Sequence, residues 1–343
     1  MSLFQPASPA AALGKLAPAL DWWRAAPLTA PGGALEWMHF VIVGQGLRLL
    51  VNLSLRREAG EVRPRVVVLL WSGGVWSGGI HEPRMRDVEV RAGGVDAFFG
   101  ASFVRSVGGD YVLHLDPADT GVAGDFVLRP EAAPLLATNL KLPDSGRFHW
   151  VSVPRLSVVS GELRLPHAVS LTGCTAYHDH NWGSFDFGGD FAWEWSFGLP
   201  ASPLDPWSLM ALRVSDRARH RTLVAGLAVW RDGQLWRDFR NAEVEFSRSG
   251  RWAEAPPHRL PALDPDTFEA LGSPPLTASW HGRDGSDWID VVGSTESSAQ
   301  LILPAGGRLV VLSELPSRLR VLGSLRGRSV DCGLLGMLEV VDG

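Results

Sequence analysis

The run Trp37-Met38-His39-Phe40-Val41-Ile42-Val43, the turn Gly44-Gln45-Gly46 and the run Leu47–Leu55 stand near the start of the chain. Two apolar runs of strand length joined by a short glycine turn read as a β-hairpin. The pattern continues outward from it. Val66–Trp71 is branched, apolar and too short for a useful helix. Val88–Val90, Phe98–Val104 and Tyr111–Leu115 follow, with breaks at Gly78-Gly79, Gly93-Gly94 and Gly108-Gly109. Further on, Phe191–Phe197, Trp207–Val214, Thr222–Trp230 and Ala242–Phe246 read as strands, and Asp232-Gly233 as a hairpin turn. Leu276–Trp280, Trp288–Val292, Ala299–Leu303, Arg308–Leu312 and Leu334–Val341 complete the set. Short strands at regular spacing predict an all-β, antiparallel protein of sandwich or barrel type. Helix is expected only in short pieces. One is Asp264–Leu271, with Asp264 as N-cap and Gly272 closing it; another lies within Ala10–Trp23.

The chain has 343 residues, enough for two domains. The halves have similar strand counts and divide near Gly173–Gly189. The expected division is a tail over 1–33, a first barrel over 34–183 and a second over 184–343. With 32 basic and 37 acidic residues the net charge is −5, which opposes nucleic-acid binding. Cys174 and Cys332 are too few for a disulfide scaffold or a multi-cysteine zinc module. Neither Gly-x-Gly-x-x-Gly nor a P-loop occurs, and no Gly-x-Ser-x-Gly elbow occurs. Met1–Ala12 has no Lys or Arg, so no secretory leader is expected. A cytoplasmic protein is the expectation. The N-terminal stretch reads as a tail packed loosely on the first domain, and its sharper reading is a peripheral contact with membrane lipid.

The densest chemistry lies in Tyr177-His178-Asp179-His180-Asn181-Trp182-Gly183. On a strand, His178, His180 and Trp182 share one face, and Tyr177, Asp179 and Asn181 the other. The His pair could hold a metal only with a third ligand, for which Glu36, His39 and Asp190 are the candidates. No metal and no cofactor are expected. The bland alternative is a polar plug whose groups satisfy one another.

This segment resembles the Tyr-His-Asp-His-Asn-Trp-Gly signature of the carotenoid 1,2-hydratase (hydroxyneurosporene synthase) family and its lipocalin-like relatives. Glu36-Trp37-Met38-His39-Phe40 resembles the start of that group's first barrel. Val330–Val341, with Gly333, Gly336 and Glu339, resembles the closing strand of its second. The resemblance spans roughly residues 34–343 and implies two consecutive lipocalin-like antiparallel β-barrels with short helices. It also implies a hydrophobic small-molecule partner: a carotenoid, terpenoid or polyketide.

The implied reaction is hydration of a C=C bond. A carboxylic acid kept neutral in an apolar pocket protonates one carbon, and indole faces stabilise the cation. A held water then attacks. The candidate catalytic residues are His180, Trp182, Asp179 and His178. The candidate ligand contacts are Trp37, Tyr177, Asn181, Trp193, Trp195 and Trp207. The pocket is expected between the barrels, with His180 and Trp182 facing the ligand. One departure stands out: Trp207-Ser208-Leu209-Met210 lacks the carboxylate that the family carries after its signature. Asp186, Asp190, Glu194 and Asp205 are the possible substitutes. A cyclase in the same pocket and a non-catalytic lipid or pigment carrier are the alternatives. An acid beside the pocket favours the hydratase; its absence favours the cyclase; an open, dry pocket favours the carrier.

Overall fold

A computed structural model describes residues 14, 17–29, 33–44, 46–58, 60–142, 146–185, 191–202, 205–255, 257–261, 273–305 and 308–342. The helix expected over Asp264–Leu271 lies outside the described residues. The first strands are β1 (Ala34–Gly44), β2 (Leu47–Glu58), β3 (Glu61–Ser72), β4 (Val75–His81), β5 (Val88–Val90) and β6 (Asp96–Phe99). Then come β7 (Ser102–Val107), β8 (Asp110–Leu115), β9 (Ala123–Pro130), β10 (Leu135–Lys141), β11 (Arg147–Arg164), β12 (Ala168–Ser170) and β13 (Thr175–Ser184). They form one sheet in the order β4-β3-β2-β1-β13-β11-β9-β8-β7-β6-β5, with β10 and β12 also on β11.

The second sheet holds β14 (Phe191–Pro200), β15 (Trp207–Asp216), β16 (Thr222–Arg231), β17 (Gln234–Arg240), β18 (Val244–Ser249) and β19 (His258–Leu260). Its remaining strands are β20 (Thr277–Asp284), β21 (Asp287–Thr295), β22 (Ala299–Ala305), β23 (Arg308–Leu325) and β24 (Arg328–Asp342). The order is β17-β16-β15-β14-β24-β23-β21-β20-β18, with β22 on β23 and β19 on β22. The Asp232-Gly233 turn joins β16 to β17 with both residues at positive φ, 52° and 74°. Such a turn matches the natural strand twist. Phe98–Val104 is a hairpin instead of the one strand expected: Gly100, at φ 66°, breaks it between β6 and β7.

Three of the hydrophobic cores among the described residues show the period-2 alternation. Met38, Phe40 and Ile42 of β1 enter the first, inside the curl of the first sheet. Val41 and Val43, on the opposite face, enter a second core with Trp193, Trp195, Met210 and Leu212. Leu209 and Ala211 turn to the third, within the second sheet's curl. The two sheets therefore pack on each other through the second core. Arg48 of β2 pins them: its Nε donates to the Gly336 carbonyl of β24 at 3.1 Å. Burial draws this guanidinium down to about 10, against the charge of Glu296 beside it.

Residues 17–29 correct the expectation of a loosely packed tail. The short helices α1 (Ala17–Leu20) and α2 (Ala26–Thr29) flank a segment in which Asp21 and Trp23 are completely buried in the first sheet's curl. The reason is polar pairing: Asp21 meets partners on β8 and β13. Among the described residues, no helix is long and apolar enough to cross a membrane.

Candidate functional site

Strand β13 pairs with β1 on one side and β11 on the other, and Ala176–Trp182 are buried on both faces. The two faces do different work.

One face latches the N-terminal segment. His178 Nε2 lies 2.6 Å from Asp21 Oδ2, and His180 Nδ1 lies 2.8 Å from Asp21 Oδ1. Tyr111 donates its hydroxyl to Asp21 Oδ2 at 2.9 Å. His180 Nε2 faces Glu36 Oε1 at 3.0 Å, and the Glu36 carboxylate also accepts the backbone N–H groups of Arg24 and Ala26. Burial opposes charge on His180, but the hydrogen bonds to Asp21 and Glu36 outweigh it and raise its pKa. Burial likewise opposes charge on Asp21, and His178 and His180 outweigh it, holding the carboxyl below its usual range. Trp182 closes this latch, with the Arg24 guanidinium 3.8 Å from its ring centre and His149 stacked at 5.3 Å.

The other face opens on a cavity between the two sheets. Trp37, Trp193 and Trp195 form aromatic walls, and Leu50, Leu301 and Leu312 are among its aliphatic ones. Polar groups converge at one end: Asp179, Asn181 and His39 from the first sheet, Glu314 and Glu339 from the second. The registers explain this. Asp179, His39 and Asn52 form one row across β13, β1 and β2. Trp195, Glu339 and Glu314 form another across β14, β24 and β23. Asp179 is fixed by Tyr177, which donates to Oδ2 at 3.0 Å, and by Asn181 Nδ2, which donates to Oδ1 at 2.6 Å. Tyr177 in turn stacks on Phe197 at 4.5 Å and accepts from Ser152 at 3.0 Å. Buried His39 Nε2, Asn181 Oδ1 and Glu314 Oε2 have no hydrogen-bond partner among the described residues. Such groups mark places for a water or a ligand polar atom.

These acids favour the neutral form. Burial, then the charge of Glu339, pushes the Asp179 carboxyl well above its usual range. Burial, then the charge of Glu314, does the same to Glu339. Glu314 and Glu339 are direct cross-strand partners, an arrangement that is unfavourable unless they share a proton. His39 moves the other way: burial, then the charge of His178, lowers it to about 3, so its imidazole is neutral. Together these groups offer a proton donor, a neutral base and aromatic faces around one apolar space, which is what acid-initiated chemistry on an alkene needs.

The acids carry a stability penalty with a definite sign. Burial raises Glu314 from 4.5 to about 8. Between those values the unfolded chain has released the proton and the folded one has not, so stability falls as pH rises. Glu314→Gln is expected to raise the melting temperature by several degrees near pH 8, on the order of a few kcal/mol, and to leave it unchanged near pH 4. Thermal melts across that range check it; an increase independent of pH would mean that ionisation is not the cause.

Of the residues expected to meet a ligand, Trp37, Asp179, Asn181, Trp193 and Trp195 line the cavity. Tyr177 stands behind Asp179 as its support. The expectation that His180 and Trp182 face the ligand is corrected: with His178, they turn to the N-terminal latch, because Asp21 and Glu36 attract the imidazoles there. Trp207 also lies elsewhere. It enters the third core edge-on to Trp236, since its side of β15 faces the second sheet's curl. Glu194 is bound by Arg213 and Arg219, and Asp205 does not line the cavity. Asp186 and Asp190 lie outside the described residues. Glu314 is the residue that sequence reading missed. Its signal, and that of Glu339, was a lone carboxylate inside an apolar strand. Among the described residues, no group of three or more His, Cys, Asp and Glu is arranged to hold a metal ion.

No family model and no curated protein matches the chain. Solved structures do. A provisionally assigned AttH from Nitrosomonas europaea superposes with TM-score 0.62 at 14% identity, over 90% of this chain and 92% of that one. Kievitone hydratase from Nectria haematococca gives 0.55 at 11% identity, over 91% and 89%. CghA with Sch210972 gives 0.53 at 10% identity, over 90% and 88%. Likeness at this level shows the fold: all-β, with two consecutive lipocalin-like antiparallel barrels and short helices.

Proposed function

We propose that this protein binds an apolar isoprenoid- or polyene-like molecule in the cavity between its barrels and adds water across one of its C=C bonds. The observation that carries this reading is the buried carboxyl group of Asp179, which faces an aromatic-walled space beside Glu339 and neutral His39. Asp179 donates its proton to one alkene carbon, forming the C–H bond and leaving a tertiary cation on its neighbour. Trp37, Trp193 and Trp195 present their faces to that cation. A water held by His39 Nε2 and Asn181 Oδ1 attacks it, and the released proton passes to His39 and back to the carboxyl group. Structural likeness to a kievitone hydratase is consistent with this but rests on the fold alone.

The presence of an acid beside the cavity favours hydration over a cyclase or a passive carrier. The test is an organic extract of purified protein, analysed by mass spectrometry and returned to ligand-free protein. Gain of the mass of one water is expected. An isomer of unchanged mass would establish the cyclase; the same molecule recovered unaltered would establish the carrier.

A further inference from the structure

Hydration as proposed draws on Asp179, His39 and Asn181 of the first sheet and leaves Glu314, on the second, idle. Glu314 is 1% exposed and lines the cavity from β23, two residues after Leu312. Leu312 pairs with Leu301 of β22, and Leu303 lies two residues further along the same face. All three line the cavity, so Glu314 is a carboxyl group at the end of an apolar strip.

Its cross-strand neighbours are Ala299 on β22 and Glu339 on β24. Ala299 has no side-chain donor or acceptor. Ser313, one residue earlier, turns to the opposite face and accepts from Gln300 Nε2 at 3.3 Å. Glu339 does bond Glu314. Burial raises Glu314 to about 8, and this hydrogen bond works the other way, lowering it. Burial and the charge of Glu314 raise Glu339, and the same bond raises it further. A bond that lowers one acid and raises the other has the second as its donor. Glu314 thus accepts from Glu339 with one oxygen. Its other oxygen, Oε2, is buried with no hydrogen-bond partner among the described residues. A neutral carboxyl that accepts at one oxygen keeps its proton on the other. Glu314 Oε2 is then an O–H donor buried in the cavity wall, which is unfavourable until something accepts from it.

Resting on the reading that a largely apolar molecule fills this cavity, we propose that the substrate is an oxygenated isoprenoid or polyene. Its accepting oxygen, carbonyl or hydroxyl, takes the hydrogen bond of Glu314 Oε2. Its hydrocarbon part runs past Leu312 and the tryptophan walls to Asp179. Asp179 stands on the other sheet, close enough for its charge to act on Glu314. The oxygen therefore sets the register of the chain. Of several similar double bonds, the one protonated is the one whose separation from that oxygen places it at Asp179. A hydrocarbon without the oxygen has no such register.

The test uses geranylacetone, a ketone that accepts but cannot donate, and the hydrocarbon in which a methylene replaces its carbonyl. Each competes with diphenylhexatriene, a hydrocarbon probe excited by energy transfer from the cavity tryptophans. The two competitors differ in hydrophobicity, so the readout is the ratio of their dissociation constants, compared between proteins. In Glu314→Leu the ratio is expected to move roughly tenfold against the ketone. In Glu314→Gln, whose amide still donates, it should stay within about threefold of the wild type. Melting temperatures serve as folding controls. A measurement on the wild type needs no variant: the infrared carbonyl stretch of the bound ketone should lie below its value in hexane. An unchanged ratio in folded Glu314→Leu, or a hexane-like stretch in the wild type, overturns the proposal and leaves the cavity reading standing. Failure of the probe, the ketone and the hydrocarbon all to bind overturns both.

Discussion

Asp179→Asn is expected to lower turnover of the extracted ligand by about 10²–10⁴-fold, the usual loss when a positioned general acid is removed. Affinity for the ligand should hardly change. The Asn amide keeps the size of the carboxyl group and can still hydrogen-bond Tyr177, but it cannot protonate carbon. Glu339→Gln should do less, because Glu339 acts through the charge it places near Asp179. Its signature is a shift in the pH profile: with that charge gone, Asp179 ionises more readily and activity falls at lower pH. Initial rates across pH, with tryptophan fluorescence to report binding, separate the two effects. Wild-type rates in Asp179→Asn would remove the carboxyl from the mechanism.

Asp21→Asn carries the second large effect, on stability. Asp21 is fully buried and contacts His178, His180 and Tyr111. Removing one partner of a buried ionic network leaves the others uncompensated and typically costs about 3–5 kcal/mol. The pH window follows from the two shifts. Asp21 is held below its ordinary value, so its contribution is full above roughly pH 4 and fades as pH falls. His180 is raised, so its contribution is full below roughly pH 6.5 and fades as pH rises through its folded value. The gap between wild type and variant should be widest between those values. Urea unfolding near pH 3, 5.5 and 8 measures it, and equal midpoints near pH 5.5 would mean that the latch does not hold the N-terminal segment.

Much of the strand pattern was legible. Glycine turns and period-2 runs mark hairpins such as β1–β2 and β16–β17, because such turns demand backbone conformations few other residues adopt. The alternation of Tyr177–Trp182 was legible too, but not which face meets the cavity. Hydrophobic patterning assigns inside and outside only when one face is wet, and β13 is buried on both. The deciding partner, Asp21, is 157 positions from His178. No local signal links such residues. Glu339 and Glu314 were closer to legible, since each interrupts an apolar run in which charge is unfavourable without a purpose.

The cavity's charge arithmetic has a consequence for product choice. In the proposed reaction, a carboxylate and a carbocation appear together when Asp179 gives up its proton, and the space as a whole stays as neutral as before. With the dielectric low, that ion pair has three exits: return of the proton, capture by a neighbouring double bond, or capture by water. The first two need nothing from the protein beyond shape. The third needs a water anchored at His39 Nε2 and Asn181 Oδ1, two of the buried first-sheet atoms without a hydrogen-bond partner among the described residues. In such a chamber the difference between an alcohol and a new ring is whether a single solvent molecule keeps its two anchors.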